Sequence, residues 1–203
     1  MSNFKEINLS TQLQNAIHDL GLEKQTPIQS QTYSKILSGK DLVGIAQTGT
    51  GKTLAYCLPL LQELSYSNQN NPRVLILVPT RELVSQVVET LNELTKYITC
   101  RIIGVYGGTN INTQKIWLQD GADIVVATPG RLYDLALCRS LQLKGIKKVV
   151  IDEVDIMLDL GFYFQLTNIF ELLPSKKQNI MFSATMTEDV SNLIDSFFSK
   201  PEK

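Results

Sequence analysis

The sequence predicts an α/β fold, a mostly parallel sheet with helices packed on both faces. Three observations carry that reading. The apolar runs 42–46, 74–78, 102–106, 124–127, 149–151 and 180–182 are largely continuous rather than alternating, as expected of strands covered on both sides. Helical patterns separate them, such as Leu83, Val87, Leu91 and Leu94 in one register. The 203 residues, 43% of them hydrophobic, suffice for one large domain with a full core.

Taken in order, Leu9, Leu13, Ala16, Ile17 and Leu20 follow helical spacing, and Gly21 stops them. A second helix is expected from Thr26-Pro27, with Thr as cap and Pro at the first helical position. Residues 1–38 are read as part of the same domain as a core spanning 39–203. The run 42–46 leads into AQTGTGKT (46–53) and then a helix, KTLAYCLPLLQEL, which Pro59 is expected to bend. Residues 66–72, YSNQNNP, read as an exposed loop.

Parallel sheets bind ligands at the carboxyl ends of their strands, so the residues that follow each run matter most. In AQTGTGKT, Gly49 and Gly51 let the backbone turn its N–H groups toward phosphate oxygens, and the helix start adds partial positive charge. Lys52 is suited to the β- and γ-phosphates and the Thr53 hydroxyl to Mg²⁺. The strict phosphate-loop pattern begins with Gly where this chain has Ala46. The strand before and the helix after supply the context that a chance Gly-Lys-Thr lacks.

The run 149–151 ends in Asp152, Glu153, Val154 and Asp155. Carboxylates this close repel one another and are costly to desolvate. A divalent ion held by Asp152 beside the phosphate loop offsets that repulsion. Glu153 is then placed to orient and deprotonate an attacking water. Asp155 suits a hydrogen bond to a neighbouring element, and Ser183 and Thr185, after the run 180–182, offer hydroxyls for it. The remaining strand ends carry PTREL (79–83), GG (107–108) and TPGR (128–131). Each separately is turn chemistry with or without a surface arginine. Together they supply N–H groups, hydroxyls, Arg81 and Arg131, the parts that grip a phosphodiester backbone without reading bases.

Taken together these segments resemble the first ATPase lobe of the DEAD-box RNA helicases, a RecA-like phosphate-loop NTPase fold. The likeness covers nearly the whole chain and keeps the family order. GLEKQTPIQ (21–29), with Phe4 upstream, resembles the adenine-recognition motif. AQTGTGKT, PTREL, GG with Gln114 behind it, TPGR, DEVD followed by MLDLGF (157–162), and SAT (183–185) come after it. The resemblance implies ATP and Mg²⁺ as cofactors. Gln29 would read the adenine edge with both its donor and its acceptor. Phe4 and Leu22 would lie near the base, with Thr26 in support. Thr48, Gly49, Thr50, Gly51, Lys52 and Thr53 would hold phosphates and metal, and Asp152 and Glu153 would serve Mg²⁺ and water. Asp155, Ser183 and Thr185 would couple ATP to RNA. Pro79, Thr80, Arg81, Gly108, Thr128, Gly130 and Arg131 would line the RNA path. Val154 replaces the Ala of the name-giving motif but keeps each carboxylate. Gln25 replaces a usual Pro, and Leu22 stands where an aromatic is common.

The resemblance also implies a second RecA-like lobe, with its own RNA contacts and an arginine finger worth about 10³–10⁵ in rate. This chain ends just past the first, so the lobe alone is expected to bind nucleotide, hydrolyse little and unwind nothing. Two other readings compete. One is an ATP-gated RNA clamp that does not unwind. The other is a DNA helicase or an unrelated phosphate-loop ATPase, against which GLEKQTPIQ argues.

Bulk properties are compatible but not decisive. The formal net charge of −1 gives no general basic field for nucleic acid, so binding must rest on local groups. Cys57, Cys100 and Cys138 are an odd count at wide spacing, fitting buried thiols in a reducing compartment rather than disulfides or zinc. No apolar run reaches the roughly 18 residues of a membrane span and the start is polar, so no membrane partner and a cytoplasmic location are expected. His18 and the lysines at 144, 147 and 148 read as solvated surface, and Trp117 and Tyr106 as core.

Overall fold

The computed structural model describes residues 3–202. A short 3₁₀ turn, Phe4–Glu6, precedes helices α1 (Thr11–Asp19) and α2 (Pro27–Leu37). The chain then alternates: β1 (Leu42–Ile45), α3 (Lys52–Glu63), β2 (Val74–Leu77), α4 (Arg81–Leu94), β3 (Ile102–Val105), α5 (Ile111–Gln119), β4 (Ile124–Ala127), α6 (Pro129–Leu137), β5 (Lys148–Ile151), α7 (Val154–Asp159), α8 (Tyr163–Leu172), β6 (Gln178–Ser183) and α9 (Glu188–Phe197). Local chemistry explains several starts. Ser10, Thr80, Asn110 and Thr187 accept backbone N–H bonds at the heads of α1, α4, α5 and α9, and Pro27 and Pro129 open α2 and α6.

The six strands form one all-parallel sheet in the order β1-β6-β5-β2-β4-β3. Alternate side chains face opposite layers. One face, with Leu75, Leu77, Val125, Val149, Ile151 and Met181, packs with residues of α6–α9, including Leu132, Leu166 and Leu193. The other, with Ile76, Val126, Val150, Ile180 and Phe182, packs with residues of α1–α4. Phe4, Leu9, Leu13, Tyr33 and Ile36 belong to this second layer, so the first helices are built into the core. Register puts Leu77 opposite both Ile151 and Ala127, and Ile45 opposite Ser183. The strand ends therefore line up, and the loops that follow them share one rim.

Several expectations are corrected. Strands β5 and β6 begin earlier than their apolar runs, because Lys148, Gln178 and Asn179 are polar residues with dedicated partners. Lys148 is not solvated: its ammonium reaches Glu63 at 2.5 Å and Gln178 at 2.6 Å. Asn179 donates to Asp41 at 2.7 Å through its N–H. Trp117 is 47% exposed rather than core, because α5 faces the sheet with Gln114 and Leu118. Tyr106 is half-buried. Only Cys57 of the thiols is buried; Cys100 is intermediate and Cys138 exposed. Helix α3 runs through Pro59 without ending. Among the described residues no helix is long and apolar enough to cross a membrane.

Candidate nucleotide site

The loop after β1 and the start of α3 form the centre of the rim. Gly51 caps α3 at φ +87°, a left-handed conformation that favours glycine. A Cβ there would meet Gln29 Nε2 at 2.5 Å, so this position demands glycine twice over. Lys52 is buried, donates to the carbonyl of Ala46 at 3.1 Å, and lies 3.8 Å from Asp152 Oδ1. One donor of its three is thus spent on its own loop. Thr50 donates to the Gln47 carbonyl, bracing the turn, while Thr48 and Gly49 are exposed and Thr53 half-buried.

Asp152 directly follows the strand β5 and is itself buried. Burial pushes its carboxyl up to about 6; Lys52 opposes that shift and Glu153 adds to it. Its Oδ1 has no hydrogen-bond partner among the described residues. The buried hydroxyl of Tyr56, one helical turn beyond Lys52, faces Asp152 and offsets part of the upward shift. A carboxylate oxygen that accepts no hydrogen bond, beside a hydroxyl-bearing phosphate loop, is an oxygen-donor set of the kind Mg²⁺ takes, so the residues fit that ion.

Glu153 sits at φ +56°, a strained setting for a non-glycine residue that is concentrated at functional sites. Thr48 donates to its Oε1 at 3.2 Å, which ties the phosphate loop to the carboxylate cluster across the sheet. Asp155 accepts from the N–H groups of Ala184 and Thr185 at 3.2 and 3.0 Å and from the Thr185 hydroxyl at 3.0 Å. These bonds outweigh desolvation and hold its carboxyl below the usual range. The Ser183 hydroxyl donates to the Thr185 carbonyl at 2.6 Å and also contributes to holding the Asp155 carboxyl low. Thr187 caps the following helix.

Gln29 reaches the same loop from α2. Its Oε1 accepts from Thr26 N–H at 2.9 Å and its Nε2 donates to the Gly51 carbonyl at 3.2 Å. Phe4 is buried and Leu22 37% exposed, and the Phe4 N–H donates to the Glu23 carbonyl. Gln25, in the place of a proline, is buried and donates to the Asn3 carbonyl, holding the N-terminal turn against the loop before α2.

The rim thus unites residues from positions 29, 52, 152 and 185. The DEAD/DEAH box helicase profile matches residues 26–193. The chain belongs to the DEAD/DEAH box helicase family. The DEAD-box ATP-dependent RNA helicase CshA of Bacillus cereus is 39% identical over 202 residues, covering 100% of this chain and 38% of its own length. The ATP-dependent RNA helicase DeaD of Escherichia coli is 38% identical over 201 residues, 98% of this chain and 32% of that protein. A crystal structure of a DEAD box protein from the hyperthermophile Methanococcus jannaschii matches with a TM-score of 0.93 at 36% identity, covering 98% of this chain and 55% of that one. The sheet and its helices are the RecA-like domain of that family. This DEAD-box chain spans well under half the length of the curated relatives it matches.

In this DEAD-box domain the other strand ends carry the residues expected along a polynucleotide path. Several of them serve the fold. Pro79 is buried, and Thr80 caps α4 by accepting from Leu83 N–H. Arg81 is exposed and donates to Glu82 at 2.6 Å. Arg131 is not free: it donates to Gln114 Oε1 and to the Thr109 carbonyl, both at 2.9 Å. Gln114, buried, in turn donates to the Tyr106 carbonyl and the Thr109 hydroxyl. This clamp fixes the Gly107-Gly108 loop against the start of α6, where Thr128 and Gly130 lie. Sequence reasoning placed Gln114 behind the glycines without a role and overlooked Tyr56. The four-residue step from Lys52 to Tyr56, one face of α3, was the available signal for the latter.

Proposed function

We propose that this chain is the ATP-binding lobe of an ATP-dependent RNA helicase, in which RNA-stimulated ATP hydrolysis drives local duplex unwinding once a second RecA-like lobe is present. The observation that carries the reading is the convergence of Lys52, Asp152 and the Thr48–Glu153 bond at one rim, together with the relatives' printed names. Lys52 retains two N–H donors for phosphate oxygens. Gln29 retains one N–H and one acceptor lone pair beyond its bonds to Thr26 and Gly51, the pair an adenine edge requires. Thr53 and Asp152 would hold Mg²⁺, which supplies charge neutralisation at the phosphates when bound. Glu153, oriented through one oxygen by Thr48, keeps the other to accept a proton from water. Asp155 transmits changes at this rim to the 183–185 loop through its three bonds.

RNA would lie along Pro79, Thr80, Arg81, Gly108, Thr128, Gly130 and Arg131, gripped through its backbone. The lobe alone binds nucleotide and hydrolyses little, because the arginine finger belongs to the other lobe. Calorimetric titration with ADP and GDP in Mg²⁺ tests the reading. ADP should bind and GDP should not, Lys52→Ala should abolish binding, and Gln29→Ala should erase the base preference. Equal binding of ADP and GDP by the unaltered chain would refute adenine recognition, and robust RNA-stimulated turnover by this chain alone would refute the two-lobe requirement.

A further inference from the structure

The sheet has two edges, and the structure treats them differently. At the β1 edge the chain's own C-terminal segment adds a bridge: Val43 N–H donates to the Glu202 carbonyl at 2.8 Å, and Leu42 pairs with Glu202. At the other edge β3 pairs with β4 alone, and no strand among the described residues covers its outer side. A groove of about 440 Å³ runs beside this open edge. Its apolar lining is Val84 and Val88 of α4, Tyr106 at the end of β3, and Trp117 of α5. Gly104 keeps the floor low, since a Cβ there would lie 2.9 Å from Val84. Trp117 is 47% exposed and the neighbouring Ile116 61%, a costly display for two large apolar side chains unless something covers them.

The groove's charge selects the occupant. Glu89 and Glu93, one helical turn apart, form its α4 side. No ion pair to either is found among the described residues, and no lysine or arginine lines the groove. The acidic side repels a phosphate backbone, although the groove adjoins Gly107-Gly108. A bare strand edge pairs with extended backbone rather than with a helix.

We propose that this groove docks an extended protein segment in which aliphatic and basic side chains alternate. The segment adds a strand to β3, turns its lysines or arginines toward Glu89 and Glu93 of α4, and lays its alternate aliphatic side chains on the other side of the strand, against Trp117 and Ile116 of α5.

Trp117 is the only tryptophan in the chain, so its fluorescence reports the groove directly. The 203-residue chain is titrated with a capped eight-residue peptide of alternating valine and lysine, with a valine–glutamate counterpart, with a glycine–lysine counterpart, and with oligouridylate. The valine–lysine peptide should give a saturable shift of Trp117 emission to shorter wavelength, with an affinity about tenfold above the valine–glutamate peptide, as two exposed charge pairs and the matching repulsion imply. The glycine–lysine peptide should give none. A Glu89→Lys, Glu93→Lys double variant, whose changes are on the surface and whose folding circular dichroism verifies, should reverse the preference. Absence of a saturable shift with the valine–lysine peptide overturns the proposal, as does an equal response to both charged versions. A saturable shift with oligouridylate alone assigns the groove to nucleic acid and overturns it as well.

Discussion

Replacing Asp152 by Asn should stabilise the chain while destroying the site. The carboxyl is buried at the end of β5, and its folded value of about 6 stands against an ordinary 3.8. That displacement is net of the attraction from Lys52, so it measures the cost of the charged form with its partner in place. At roughly 1.4 kcal/mol per unit the charge costs about 3 kcal/mol at pH 8. Between 3.8 and 6 the folded chain binds more protons than the unfolded one, so stability falls as pH rises through that window. The cost is absent below 3.8 and complete above 6. Asn carries no charge and approximates the protonated acid in shape. The Asp152→Asn variant should therefore exceed the unaltered chain by about 3 kcal/mol at pH 8 and by a clearly smaller margin at pH 5. Urea unfolding of both proteins at the two pH values, followed by circular dichroism, measures this, and calorimetry with ADP and Mg²⁺ measures the accompanying loss of binding. A gain that is equal at both pH values, or no gain at pH 8, would refute the reasoning. The pairing of higher stability with lost binding is the expected mark of a group kept for function.

Gly51→Ala should lose about 1–2 kcal/mol from the left-handed backbone alone and displace Gln29 from its bond to the Gly51 carbonyl, seen as lower urea stability and weaker nucleotide binding. Arg131→Ala leaves the buried Gln114 Oε1 without its donor and should cost about 1–3 kcal/mol, read by the same unfolding assay. Thiol titration with an aromatic disulfide reagent should find Cys138 fast in the native chain and Cys57 and Cys100 slow until urea is added. Cys138 is exposed and its hydrogen bond with Ser140 favours the thiolate, whereas burial pushes Cys57 well up and Cys100 to about 12.

Much of this architecture is legible in the sequence because parallel strands buried on both faces must be continuous apolar runs. The phosphate loop and the carboxylates are equally visible, since each demands residue types that a core or a solvated turn does not. What the sequence hid was partnership. Lys148 and Arg131 look like surface cations, yet each spends its donors on residues remote in sequence: Lys148 on Glu63 and Gln178, Arg131 on Gln114 and Thr109. Helical periodicity likewise could not say that α5 turns Trp117 outward, because its inward positions are set by Gln114 and Leu118 together and one of them is polar. A buried polar residue reverses the apparent face of a short amphipathic helix.

The same reasoning explains why the nucleotide rim looks strained from several sides at once. Glu153 holds a left-handed backbone, and Asp152 carries a buried carboxyl lifted to about 6 whose Oδ1 accepts no hydrogen bond. Each feature alone costs stability. They lie together where the phosphate loop, the start of α3 and the end of β5 meet. Costs of this kind, placed where a phosphate loop meets a carboxylate cluster, are those a bound nucleotide and its metal would relieve.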